Sequence, residues 1–139
     1  MKIYLDASAV LRLLFRESGP RAPRTKDAAF SSQILRVEAA RAIERAHLAG
    51  RIDVGLRTRK TIELGDVLKA ISVVPVSEDI VAIAAEPFGV PVRALDAIHI
   101  ATAIYLQNEL GEPVDFWTHD AIQARAAAVR ALAVRGITL

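Results

Sequence analysis

The stretch "IYLDASAVLRLLF", Ile3–Phe15, decides the architecture. With Lys2 in front of it, "KIYL" (Lys2 to Leu5) suits a short buried strand. Asp6 stands at the strand's C-terminal end. Ser8 sits where an N-cap is expected, and "AVLRLLF" then carries a short helix. A buried strand running straight into a helix is the first half of a strand–helix–strand unit. The rest of the chain repeats the alternation.

"AAFSS" predicts a second strand, and a helix follows from about Gln33 to Ala49, ended by Gly50. Leu35, Ala39, Ala42, Ile43 and Ala46 form its apolar stripe. Gly55 to Ala70 predicts another helix, basic at its start. "SVVPV" (Ser72 to Val76) reads as a strand, and Pro75 places it at a sheet edge or marks the strand's end. "SEDIVAIAAE" offers a Ser cap, an acidic first turn and a short helix. A further helix is predicted from about Ala94 to Asn108, a strand over "VDFWT" (Val114 to Thr118), a helix from about Asp120 to Ala133, and a last strand in "GITL". Strands alternating with helices imply an α/β domain with a mainly parallel sheet. Residues 1–139 read as one domain, with no internal repeat and no linker; "ESGPRAPRTKD", with two prolines and a glycine, reads as a loop.

Composition narrows the function classes. The 139 residues are 53% hydrophobic but only 5% aromatic, so the core must be built from Ala, Leu, Val and Ile. Small side chains let helices approach closely. No cysteine is present, which excludes disulfides and thiolate metal sites and fits a reducing compartment, the cytoplasm. The N-terminus does not read as a signal peptide, because Asp6 interrupts its short apolar run. No apolar run approaches membrane-spanning length. A formal net charge of +2 is compatible with nucleic acid without singling it out.

Four carboxylates stand out. Open parallel sheets bind ligands outside the carboxyl ends of their strands. Asp6 falls at such an end, and so does Asp120, just after "VDFWT". Asp96 opens a helix amid Leu95, Ala97 and Ile98, where a buried charge is costly. Glu38 lies at the edge of its helix's apolar stripe. Each has a plain structural reading: a turn or cap for Asp6, an N-cap for Asp120 and Asp96, and a pair with Arg41 for Glu38. Brought together, four carboxylates would repel one another unless a cation or protons neutralised them. Oxygen-only ligation favours Mg2+ or Mn2+ over Zn2+, and such an ion can drive phosphodiester hydrolysis. Of the neighbours, His99 reads as structural. His119 reads as a strand-end histidine, Trp117 as core, and Asp115 lies at the far end of its strand. Arg12, Arg16, Arg41 and Arg45 read as ordinary solvated charge.

Four segments, in order, resemble the motifs of PIN-domain ribonucleases, most closely the VapC toxins of toxin–antitoxin pairs. These are "IYLDASAVLRLLFRESG" with Asp6 and Ser8, "SSQILRVEAARAIERA" with Glu38, "RALDAIHIATA" with Asp96, and "FWTHDAIQARAAA" with Thr118 and Asp120. The resemblance implies a PIN-like three-layer sandwich and a Mg2+- or Mn2+-dependent endoribonuclease acting on structured RNA, such as transfer or ribosomal RNA. It implies a homodimer inhibited by a cognate VapB-type antitoxin. Asp6, Glu38 and Asp96 would be the main metal-binding acids, Asp120 would contribute directly or through water, and Ser8 and Thr118 would support them. Water, not a side chain, would be the nucleophile. Two segments depart from the pattern. "GPRAPRTKDAAF" is short and proline-rich where relatives usually carry a helix, and Ala121 follows "THD" where they often have Arg. Two other readings compete: a PIN-like module that binds RNA or protein without cutting, and a phosphotransfer enzyme. The last would want an acid two residues after Asp6, where this chain has Ser8.

Overall fold

The structure, a computed structural model, describes residues 2–16 and 29–138. The predicted loop over 17–27 lies outside them. Five strands, β1 (Lys2–Leu5), β2 (Ala29–Ser32), β3 (Ser72–Val74), β4 (Val114–Trp117) and β5 (Ala133–Arg135), alternate with six helices. The helices are α1 (Ala7–Leu14), α2 (Ile34–Leu48), α3 (Val54–Ala70), α4 (Glu78–Ala84), α5 (Ala94–Leu110) and α6 (Ala121–Val129). All strand pairs are parallel, in the order β3-β2-β1-β4-β5. β3 is an edge strand and stops before Pro75, which has no N–H to donate.

Side chains alternate across the strands and build a core on each face. Ile3 and Leu5 pack with Ala9, Val10 and Leu14 of α1, Leu35, Ala39 and Ile43 of α2, and Leu64 of α3. Tyr4, Val114 and Phe116 point the other way, against Ala97, Ile100, Ala103 and Leu106 of α5 and Ala126 and Ala127 of α6. The result is the expected three-layer sandwich. The alanines of α5 and α6 are fully buried at Ala101, Ala103, Ala126 and Ala127, as close helix–sheet approach requires. Among the described residues no helix is long and apolar enough to cross a membrane.

Three local readings are corrected. The cap of α1 is Asp6, not Ser8, because the Asp6 carboxylate takes the Ala9 N–H at 2.8 Å and Ser8 lies inside the helix. The last helix ends at Val129 rather than Ala133. Ala131 turns at φ 63°, which sends Leu132 (5% exposed) into the core and frees the chain to pair with β4. Packing of Leu132 overrides the helix preference of the alanine run. The last strand is therefore Ala133–Arg135 and not "GITL". Gly136 follows it at φ 94°, and a Cβ there would stand 2.6 Å from the Thr118 carbonyl oxygen.

The chain lays β2 and β3 on one side of β1, then crosses to β4 and β5 on the other. The strand order thus reverses between β1 and β4. A ligand site is expected outside the carboxyl ends of those two strands.

Candidate active site

Asp6 follows β1 and is 1% exposed. Its Oδ1 accepts the Ser8 hydroxyl at 2.7 Å and the Ala9 N–H at 2.8 Å, and its Oδ2 accepts the Thr118 hydroxyl at 2.6 Å. The two hydroxyls are aimed by the turn after β4. Ser8 Oγ accepts the His119 N–H at 2.8 Å, and Thr118 Oγ1 accepts the Asp120 N–H at 3.1 Å. Each hydroxyl thereby keeps its single hydrogen for Asp6. Ser8 and Thr118, from α1 and the turn after β4, thus both donate to Asp6.

Burial nevertheless dominates and pushes the Asp6 carboxyl above its usual range, against the opposing pull of these hydrogen bonds and of nearby His99. Asp96 is also raised, first by burial and then by the Asp120 carboxylate, with Glu38 adding to the repulsion and His99 and Arg93 opposing it. Asp120 and Glu38 therefore both act on Asp96 electrostatically. Asp96 occupies the first turn of α5, where a carboxylate suits the helix dipole, but it is not the cap; that position is Arg93. Asp120 does cap α6, accepting the Gln123 N–H at 2.9 Å. Its structural reading is realised, and its charge still raises Asp96.

Glu38, on α2, does not pair with Arg41, which bonds Glu44 instead. A carboxylate only accepts, so the Glu38 Oε1 contact at 2.6 Å is a donation from His99 Nε2. His99 is 1% exposed, and the Tyr4 hydroxyl lies 2.6 Å from its Nδ1. Tyr4 stacks on Phe116 at 5.4 Å and meets the His99 ring edge-on at 5.8 Å. Burial, with Asp6 and Glu38 nearby, lifts the Tyr4 phenol well above its usual range.

Two site residues escaped the sequence reading. Tyr4 lies within β1, where the sequence pattern marks only a buried strand residue. Gln123 is 2% exposed, with Nε2 3.4 Å from the Asp96 carbonyl and Oε1 3.4 Å from Thr118 Oγ1. It bridges the acid-bearing turns of α5 and α6. The spacing Asp120-x-x-Gln123 is a capping-box pattern, and that signal could have found it. His119 is not merely an exposed strand-end residue: it is partly buried and donates from Nδ1 to the Gly136 carbonyl at 2.8 Å. Asp115 sits opposite the site and pairs with Arg135 at 3.7 Å. Trp117 packs against the α1–α2–α3 core, as expected.

The donors suit a hard divalent cation in kind: all are carboxylate oxygens, and their mutual repulsion is what such an ion would relieve. Among the described residues, no group of three or more His, Asp or Glu side chains is arranged to hold an ion. The Asp6 oxygens and Glu38 Oε1 are committed to hydrogen bonds, which leaves Glu38 Oε2 and the remaining Asp6 lone pair for another partner.

A parallel three-layer α/β sandwich with a carboxylate set at its switch point defines the class. The PIN domain model matches residues 3–128, and the chain belongs to the PIN domain family. PIN domains are generally metal-dependent nucleases. Among solved structures, the crystal structure of FitAcB from Neisseria gonorrhoeae shares the fold at a TM-score of 0.65 and 19% identity, over 95% of each chain. No curated protein matches the sequence significantly.

Proposed function

We propose that this chain is a Mg2+- or Mn2+-dependent endoribonuclease toxin that hydrolyses phosphodiester bonds of structured RNA, transfer or ribosomal. The observation that carries the reading is the half-buried Asp96 carboxyl, raised by burial and by two further carboxylates, Asp120 and Glu38, against the weaker pull of His99 and Arg93. Asp6, Glu38 and Asp96 would hold the ion, with Asp120 direct or through water. The ion, when bound, supplies an activated water and offsets charge on the phosphate. Ser8 and Thr118 hold Asp6 in place, and Gln123, on the first turn of α6, donates to the Asp96 carbonyl. By the motif resemblance, a VapB-type antitoxin would inhibit the enzyme and two copies would form a homodimer.

Cleavage of structured RNA by the purified chain, with and without Mn2+, tests this against Asp6→Asn and Asp96→Asn. Metal-dependent cutting that both variants lose is the expected result. Equal cutting by all three sinks the site. The second reading, a PIN-like module that binds RNA or protein without turnover, draws on the lack of an assembled ligand group among the described residues. Tight RNA binding with no metal-dependent product on any RNA tried would favour it.

A further inference from the structure

We propose that His99 and Tyr4 are positioning residues for Glu38: a buried relay fixes which way that carboxylate faces. The proposal deepens the nuclease reading and rests on it for the role of Glu38. Glu38 comes from α2, in one helical layer, while His99 comes from α5, in the other. Their 2.6 Å bond is a tie between the layers at the candidate site.

The donor pattern follows from the groups present. Glu38 can only accept, so His99 Nε2 must carry a hydrogen. The Tyr4 hydroxyl, 2.6 Å from Nδ1, serves either charge state of the ring: it donates to a bare Nδ1 or accepts from a protonated one. The Nε2 hydrogen is therefore kept in both. A ring flip would put carbon atoms against both the Tyr4 hydroxyl and Glu38, in a place where His99 is 1% exposed and Tyr4 0%. Tyr4 cannot move in turn. It is stacked on Phe116 with ring planes 6° apart and sits in register with it across β1 and β4. The rigidity of the central sheet thus passes through two side chains to one oxygen of Glu38. Oε1 is held, and Oε2 is left for another partner on a side chain that is 18% accessible. Outer partners of this kind orient a ligand and set its basicity.

Three variants of the full chain test the relay. Tyr4→Phe keeps the ring and removes the hydroxyl. His99→Gln keeps an N–H donor near the Nε2 position, and His99→Leu removes it. Long-range 15N–1H NMR of the wild-type ring should show a protonated Nε2. Mn2+ titration should show His99→Leu weakened by about 10–100-fold, with His99→Gln recovering most of the affinity and Tyr4→Phe falling between. In RNA cleavage the loss should fall on kcat rather than KM. A bare Nε2 in the wild type overturns the relay. So does wild-type Mn2+ affinity in Tyr4→Phe, which decides the matter even if His99→Leu fails to fold. If the wild type neither binds Mn2+ nor cuts RNA, the nuclease reading falls and takes the relay's purpose with it. If the wild type binds Mn2+ and the variants match it, the relay alone falls.

Discussion

Asp6 and Asp96 are both candidate site acids with raised carboxyls, but they are held in different ways. Asp6 is nearly sealed and accepts three hydrogen bonds, from Ser8, Ala9 and Thr118, so its orientation is fixed by its neighbours. Asp96 is partly exposed on the first turn of α5, and the next influence after burial is another carboxylate, Asp120. One acid is strained by desolvation within a shell of three hydrogen bonds. The other is strained by desolvation and by its own kind. The first arrangement builds a fixed anchor, and the second builds a place where positive charge is wanted.

That contrast can be broken most severely at the chemistry. Asp6→Asn and Asp96→Asn should each lower metal-dependent RNA cleavage by more than about 100-fold, beyond what loss of an outer partner causes. Cleavage rates under saturating Mn2+ measure it.

The next largest effects belong to the anchor alone. Thr118→Val leaves Asp6 Oδ2 and the Asp120 N–H without their partner and should destabilise the fold by about 1–3 kcal/mol in denaturant unfolding. Gly136→Ala should cost a similar amount, about 1–3 kcal/mol, because its Cβ would press on the Thr118 carbonyl from a left-handed backbone. A melting temperature equal to wild type in either variant would show that the Asp6 shell is not held from β4 and β5.

The smallest effect separates the two acids by size. A carboxyl raised in the folded state binds its proton more tightly there than in the unfolded chain. Stability then falls as pH rises from the ordinary carboxylate value through the raised one. Asp96→Asn removes that burden, so it should melt higher than wild type at neutral pH and show a flatter stability profile across that window. Thermal melts from about pH 4 to 7 check this. Asp6→Asn should gain less, since Asn offers one acceptor oxygen where the carboxylate offered two to Ala9, Ser8 and Thr118. Added Mn2+ should raise the wild-type melting temperature and leave Asp96→Asn nearly unmoved.

Much of this was legible in the chain. Local signals carried β1, α2, α3 and α4 to within a residue or two, because apolar spacing, Ser77, Gly50 and Pro75 act over a few residues. They erred where distant contacts won: Ala131 bends to bury Leu132, and Gly136 turns against Thr118, neither of which alanine content or a short apolar tail reveals. Four motifs in order pointed to the PIN family to which the chain belongs, and type and place marked the candidate acids within them. The support of those acids did not show.

The sequence by itself determined the alternation of strands and helices and the parallel sheet, and it singled out the candidate carboxylates, since these follow from side-chain pattern and from where each strand ends. Only the tertiary structure decided what each carboxylate faces. Glu38 meets His99 across 61 positions of sequence, and Asp6 meets Thr118 across 112. Hydrogen bonds and charge repulsion act over a few ångströms of space, and only the folded sheet brings such distant residues within that range.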